Sequence, residues 1–116
     1  MKTKFILKLT VAAVLPMALT MGSARAADPK ELWDKNCAAC HGKDGRGDTK
    51  MGKKVGVKDY TDPKIQAGLT DEKALKTIKE GIKDDKGKER MKAYGDAYSD
   101  DEIKGLIAYL RAFKPK

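Results

Sequence analysis

Apolar side chains recur every three or four residues in three stretches of the chain, the spacing at which they share one face of an α-helix. A capping signal precedes each stretch: Asp28 followed by Pro29, then Thr70, then Ser99 with Glu102 three residues later. The side chains expected on the apolar faces are Leu32, Trp33, Asn36, Cys37 and Cys40 in the first helix, Leu75, Ile78 and Ile82 in the second, and Ile103, Leu106, Ile107, Leu110 and Phe113 in the last.

Three glycines, Gly42, Gly45 and Gly47, follow the first helix. They are expected to turn the chain tightly and to bring its backbone close to whatever the domain binds. Residues 49–59 form a predicted polar loop with four lysines. Those lysines either form a docking face or are simply solvated side chains of the loop. A solvated loop is the more common interpretation of such a run of charged residues.

A further pair of signals, Asp62 and Pro63, predicts a short helix over residues 64–67. Residues 83–97 are expected to form a charged connecting loop with one conspicuous apolar residue, Met91. No segment has a convincing strand pattern. The sequence therefore predicts an all-α domain with three main helices and one short helix.

Residues 1–26 have the pattern of a cleavable secretory signal: a lysine-rich start, an apolar run and the small-x-small sequence Ala24-Arg25-Ala26. A retained transmembrane anchor is the alternative. The apolar run is about 13 residues against roughly 20 needed to span a membrane, and Pro16 interrupts it. The leader has no cysteine to carry a lipid. We expect export to the periplasm, cleavage before Ala27, and a single domain over residues 27–116.

The leader changes how the charge is interpreted. The full chain has a formal net charge of +8, but without the leader's four basic residues 21 Lys and Arg remain against 17 Asp and Glu. Interleaved acids and bases in an exported domain do not favour nucleic-acid binding. Removal of 26 of the 116 residues leaves 90. A domain this small often needs a cofactor or another staple to supplement its core.

Both cysteines of the chain and its one histidine lie in Cys37-Ala38-Ala39-Cys40-His41. Cysteines at this spacing followed by histidine are typical of c-type haem attachment, with two thioether bonds and an imidazole on the iron. A redox-active cysteine pair lacks the preceding strand, and a zinc site lacks further cysteine or histidine ligands. We expect one covalently bound haem c, held by Cys37 and Cys40, with His41 as the proximal axial ligand.

Two methionines of the predicted mature chain, Met51 and Met91, are candidates for the sixth iron ligand. Met51 is only ten residues beyond His41, whereas Met91 lies 50 residues beyond it and can fold across the other haem face. We predict Met91 as the distal axial ligand, with the alternative that it only anchors its loop. A thioether ligand raises the reduction potential, and two filled axial positions keep oxygen and peroxide from the iron. These features predict an electron carrier rather than an enzyme.

In these residues the chain resembles the class I c-type cytochromes, specifically the small single-haem periplasmic proteins of bacteria. The resemblance covers essentially the whole predicted mature chain. It rests on Trp33 four residues before the first motif cysteine, on the motif itself with the glycines after it, on Arg90–Tyr94, and on the run from Ser99 to Arg111. It implies a cytochrome c fold in which the first and last helices cross and Trp33 packs on Leu106 and Tyr109. It also implies axial ligation by His41 and Met91.

Two departures from the family pattern stand out. The family often has a proline some ten residues after the haem histidine, whose carbonyl orients the imidazole, but this chain has residues 51–53 (Met-Gly-Lys) there. Another backbone carbonyl is therefore expected to serve. The family also often places proline after its methionine, where this chain has Lys92, so a looser loop is expected. Tyr60, Tyr94 and Arg90 are candidates for contacts with the haem propionates.

The leading functional hypothesis is a monomeric, diffusible periplasmic carrier that docks its haem edge transiently against respiratory redox proteins. It predicts no nucleic-acid partner and no membrane span after leader cleavage. A second hypothesis is a dedicated electron-accepting subunit of a periplasmic dehydrogenase or oxidase. A third is a haem sensor or peroxidase in which Met91 dissociates from the iron.

Overall fold

The structure, a computed structural model, describes residues 11–13, 16 and 26–114. The predicted signal peptide lies almost entirely outside the described residues, so its cleavage stays a prediction. The described part of the chain contains six helices and two short strands, in this order: α1 Pro29–Asn36, α2 Ala38–His41, α3 Lys50–Val55, α4 Pro63–Gly68, α5 Asp71–Glu80, β1 Ile82–Lys83, β2 Glu89–Met91 and α6 Asp100–Arg111. Within the described ranges, no helix has the length and hydropathy needed to cross a membrane.

The predicted capping residues begin four of the helices. Asp28 and Asp62 accept backbone N–H groups at the starts of α1 and α4, and Thr70 does so at α5. At α6 the capping box is complete: Ser99 accepts from the Glu102 N–H at 3.2 Å, and the Glu102 carboxylate accepts from the Ser99 N–H at 3.0 Å. Because these caps satisfy N–H groups that have no partner within the helix, they fix where each helix begins. The helix-dominated fold is confirmed.

The prediction of a loop over residues 49–59 was wrong in its first half, where α3 forms. Thr49 caps this helix, and Gly56 ends it with a left-handed φ of 72°. Of its six residues only Gly52 is buried. A helix this short and exposed has no apolar stripe, so hydrophobic spacing could not reveal it.

The prediction that the domain has no strand was also wrong. Strands β1 and β2 pair antiparallel, with Ile82 opposite Met91 and a register shift between Ile82 and Lys83. The Asp84 carboxylate closes the turn by accepting the N–H groups of Lys86 and Lys88, each at 2.9 Å. Strands of two and three residues are too short to show alternating polarity.

The core lies along α6, which packs against both α1 and α5. Two clusters share it: one of Trp33, Leu106 and Leu110, and one of Ala74, Ile103 and Ile107. The stripe predicted for the second helix was partly wrong, because Ile82 is 44% exposed and Ala74 is the buried residue of α5. The contact between Trp33 and Tyr109 that the family resemblance implied is present, with ring centroids 5.7 Å apart.

Arg111, at the end of α6, joins that helix to α4 and α5. Its guanidinium donates to the carbonyls of Gln66 (2.8 Å) and Leu69, and to the Asp71 carboxylate at 2.9 Å. Arg111→Lys should lower the free energy of unfolding by about 1.5–3 kcal/mol, since an ammonium cannot reproduce this planar fork. Guanidinium denaturation measures the change.

Arg46→Lys is the control for this substitution. The guanidinium of Arg46 approaches the Asp44 carboxylate at 3.9 Å, so the control should stay within about 0.5 kcal/mol of the wild type. Equal losses in the two variants would contradict the joining role of Arg111.

Candidate functional site

Beside the core lies a cavity of about 640 Å³, lined by all four residues predicted to hold the cofactor: Cys37, Cys40, His41 and Met91. A smaller cavity of about 50 Å³ shares three of these, Cys37, His41 and Met91, and is otherwise lined mostly by apolar side chains of the core. A volume of several hundred Å³ is typical of sites that enclose a small organic ligand or cofactor. The structure therefore brings together residues that are 54 positions apart in the chain.

Consecutive turns of helix carry the two cysteines and the histidine. Cys37 ends α1 by donating its N–H to the Trp33 carbonyl at 2.8 Å. The Cys37 carbonyl then accepts from the N–H groups of Cys40 (3.2 Å) and His41 (2.9 Å), which begins α2. Because the backbone winds helically through the motif, residues three and four apart fall on one face. The spacing of the motif thus places its side chains on one wall of the cavity.

Helix α3 braces this wall, a contact that the sequence interpretation missed. The Thr49 hydroxyl donates to the Cys40 carbonyl at 2.7 Å and accepts from the Gly52 N–H at 2.8 Å. A Cβ on Gly52 would lie 2.2 Å from the Cys40 carbonyl oxygen, so glycine is what lets α3 approach. The sequence signal for this contact is a threonine three residues before a glycine. That pattern is too common to predict the contact.

The glycines that follow the motif serve the protein's own packing rather than the cavity. Gly45 and Gly47 have φ of 74° and 68°, as expected for a tight turn. A Cβ on Gly45 would lie 2.5 Å from the Phe113 ring, and one on Gly47 would lie 2.6 Å from the Val57 side chain. The expected approach to a bound group was therefore wrong for these two residues, because neither lines the cavity.

His41 is held between aromatic rings, with its centroid 5.5 Å from that of Trp33 and 5.4 Å from that of Tyr60. Its Nδ1 atom is buried and has no hydrogen-bond partner among the described residues. The expected backbone carbonyl partner is therefore not found among the described residues, where the two flanking rings pack against the imidazole. Burial lowers the pKa of His41, which favours the neutral imidazole that binds metals.

Cys37 does not have the lowered pKa of a redox-active thiol. Both cysteines are free, and burial together with the neighbouring Cys40 raises the pKa of Cys37 to about 11. Reactive thiols instead have a lowered pKa, because the thiolate is the nucleophile.

Within residues 26–114, no three histidine, cysteine or acidic side chains lie close enough together to hold a metal ion.

The two candidate methionines differ clearly in position. Met91, at the end of β2, is partly buried and lines both cavities. Met51 lies on α3, is 48% exposed and lines neither. The geometry thus makes the Met91 thioether available to a group in the cavity and leaves the Met51 thioether outside.

The lining of the larger cavity carries a strong excess of positive charge. Six of its residues are basic and none of those described is acidic: Lys58, Lys64, Lys73, Lys76, Arg90 and Lys92. Tyr60 and Tyr94 also line it, and the Tyr94 hydroxyl donates to the Asn36 carbonyl at 3.2 Å. The cavity therefore suits a largely apolar group that bears negative charge.

Haem meets this description. A neutral imidazole, two free thiols three residues apart and a thioether are the groups that c-type attachment and His/Met ligation require. The six basic side chains would offset the charge of two propionates.

Comparisons with known proteins agree with this chemistry. The family described as "Cytochrome C oxidase, cbb3-type, subunit III" matches residues 24–110. The solved structure "KustC0563 c-type cytochrome" is 29% identical with a TM-score of 0.67, over 77% of this chain and 100% of that chain. A solved structure of a mutant of Kustc0563 is 30% identical with a TM-score of 0.65, over 76% of this chain and 100% of that chain. A search among curated proteins gave no significant match.

Proposed function

Because the chain belongs to the c-type cytochromes, in the family described as cytochrome c oxidase, cbb3-type, subunit III, we propose that it is a periplasmic one-electron carrier with one covalently bound haem c. The family supports electron transfer by a haem protein. The observation that carries the finer proposal is the shared cavity, where Cys37, Cys40 and His41 meet a methionine from a distant segment, Met91.

Each of these residues has a role in the proposal. Cys37 and Cys40 would form the two thioether bonds, and His41 would bind the iron through its neutral imidazole. Met91 would supply the second iron ligand, a soft sulfur that favours ferrous over ferric iron and so raises the reduction potential. When bound, the haem supplies reversible one-electron oxidation and reduction.

The same arrangement favours a carrier over an enzyme. With His41 and Met91 both bound, neither oxygen nor peroxide has an open position on the iron. With the haem bound, the chain would have to leave an edge of it exposed so that a partner could exchange electrons with it. The basic lining residues support docking of a redox protein with an acidic surface.

The mass of the purified exported protein tests attachment and cleavage together. We expect the mass of residues 27–116 plus one haem, which remains on the chain after acidic organic extraction because thioether bonds are covalent. Replacing Cys37 and Cys40 together by alanine should remove the haem mass, and Met51→Ala should retain it. A wild-type mass without haem, or one that includes residues 1–26, would contradict the corresponding part of the proposal.

The six basic residues that line the larger cavity are here called the basic rim. Small redox reagents can test this rim even though no partner protein is known. Oxidation of the ferrous protein by the anion ferricyanide should slow as ionic strength rises, whereas oxidation by a cationic cobalt(III) complex should quicken. Reversing two rim charges, Lys73→Glu with Lys76→Glu, should slow the ferricyanide reaction on the order of tenfold. Lys104→Glu, on α6 away from the cavity lining, is the control and should change the rate little. Equal effects in the two variants would contradict the rim.

The family description names an oxidase subunit, which favours a second candidate: a cytochrome permanently bound to one oxidase or dehydrogenase. Gentle fractionation of source cells separates the two. A freely diffusing monomer supports the carrier, whereas constant copurification with one enzyme at high salt supports the subunit.

A further inference from the structure

Gly81 lies where the end of α5 meets the segment that carries Met91. It is the C-cap residue of α5, with a φ of 71°. A Cβ on Gly81 would lie 2.4 Å from the Met91 carbonyl oxygen, 2.8 Å from the Ala93 nitrogen and 3.0 Å from the Lys92 carbonyl carbon. All three are backbone atoms, so no side-chain rotation could relieve the contact. The bare α-carbon at position 81 therefore sets how closely the Met91 segment approaches the helix.

The segment after Met91 is tied to the same helix end. The N–H groups of Tyr94 and Gly95 donate to the carbonyls of Ile78 and Lys79, at 2.9 and 3.1 Å. These carbonyls belong to the last turn of α5 and have no partner within the helix. The hydrogen bonds thus complete the helix end with the backbone that follows Met91.

The segment before Met91 is held as well. Met91 pairs with Ile82, the residue directly after Gly81, in the two-stranded sheet. Met91 therefore lies between a strand pairing on one side and the helix-end hydrogen bonds on the other, and both converge on Gly81. With Lys92 rather than proline after Met91, ring rigidity does not hold this loop, so these backbone contacts must.

We propose that Gly81 is a positioning residue for Met91: its missing side chain lets residues 91–95 seat against α5, and this seat sets how far the Met91 sulfur reaches into the cavity. The inference rests on the proposed ligation by His41 and Met91. Ordinary contacts of a Cβ begin at 3.4 Å, about 1 Å beyond the 2.4 Å found here, so any side chain at position 81 must push the Met91 backbone away.

Such a displacement should weaken the bond between the Met91 sulfur and the iron. An external ligand that competes for the same position then binds more tightly, because its apparent dissociation constant varies inversely with the fraction of molecules in which that position is open. Imidazole binding to the oxidised holoprotein measures this fraction.

Gly81→Ala and Gly87→Ala form a matched pair. Gly87, in the hairpin turn, has a similar φ of 77°, but a Cβ there has no atom within 4 Å. Both variants therefore place an alanine at a positive φ, and only at position 81 does the added Cβ meet the Met91 segment. Imidazole should bind Gly81→Ala at least about tenfold more tightly than it binds the wild type or Gly87→Ala. Met91→Ala, which lacks the thioether, sets the upper limit of imidazole affinity. Thermal unfolding of the same variants distinguishes a general loss of stability from a displacement of Met91.

Gly95→Ala is a milder test of the packing of residues 91–95 against α5. It tests the positioning of Met91 if Gly81→Ala does not retain haem. A Cβ on Gly95 would lie 3.0 Å from the Lys79 carbonyl oxygen, and its backbone is not in the left-handed region. Its imidazole affinity should fall between those of the wild type and Met91→Ala; a wild-type value would overturn the proposal.

The outcomes distinguish this inference from the ligand assignment. If Met91→Ala binds imidazole more tightly than the wild type but Gly81→Ala matches Gly87→Ala, the positioning role is overturned and the ligation stands. If Met91→Ala binds imidazole no more tightly than the wild type, Met91 is not the iron ligand, and the positioning role falls with it.

Discussion

Met91→Ala should lower the reduction potential of the holoprotein on the order of 0.1 V or more, since axial ligands set haem potentials over a range of about 0.8 V. The thioether of Met91 is the methionine sulfur that lines the cavity with His41. Without it, ferric iron is no longer disfavoured by a soft ligand, and water or an added ligand enters the sixth position. Potentiometric titration of the wild type and the variant measures the shift.

Met51→Ala is the matched control. This methionine is 48% exposed on α3 and lines neither cavity, so its loss should leave the potential unchanged. A shift in Met51→Ala with none in Met91→Ala would reverse the ligand assignment. Carbon monoxide should bind ferrous Met91→Ala readily and the wild type poorly, since only the variant has an open position.

Trp33→Ala should lower the free energy of unfolding by about 3–5 kcal/mol, the range for removing a large buried aromatic side chain. Trp33 is 3% exposed and packs between α1 and α6, with its ring centroid 5.1 Å from that of Phe113. Its indole N–H also donates to the Gly42 carbonyl at 2.9 Å, directly after His41. The substitution thus opens the core and frees one end of the haem-binding turn. Guanidinium denaturation of the holoprotein measures the loss.

Two further variants interpret that loss. Trp33→Phe keeps an aromatic ring but not the donor, and should cost less than Trp33→Ala. Met51→Ala removes a side chain that is 48% exposed and lines neither cavity, and should cost under about 1 kcal/mol. A loss in Trp33→Ala no larger than that in Met51→Ala would contradict the core position of the indole.

The helices that carry the site were predictable because their signals are local. A capping residue followed by apolar positions at helical spacing located α1, α5 and α6, and the buried face of α6 contains Ile103, Leu106, Ile107 and Leu110 as expected. The convergence of the haem motif and Met91 on one cavity also agrees with the prediction that these residues act together. Their roles as ligands remain the proposal that the substitutions above test.

The parts that escaped prediction depend on contacts between distant segments. Helix α3 is stabilised by Thr49, which binds the Cys40 carbonyl, and the strand that carries Met91 is stabilised by its pairing with Ile82. Neither segment has an apolar period of its own, so only the folded arrangement accounts for it. The Nδ1 atom of His41 has no hydrogen-bond partner among the described residues. This too depends on the folded arrangement around the ring, so the sequence does not reveal it.

The absorption spectrum of the oxidised holoprotein, recorded for the wild type beside Met91→Ala and Met51→Ala, tests the central claim most directly. The account predicts a charge-transfer band between the methionine sulfur and ferric iron in the wild type and in Met51→Ala, and its loss in Met91→Ala. A wild-type spectrum without this band, or a band that survives in Met91→Ala, would contradict the His41/Met91 electron carrier.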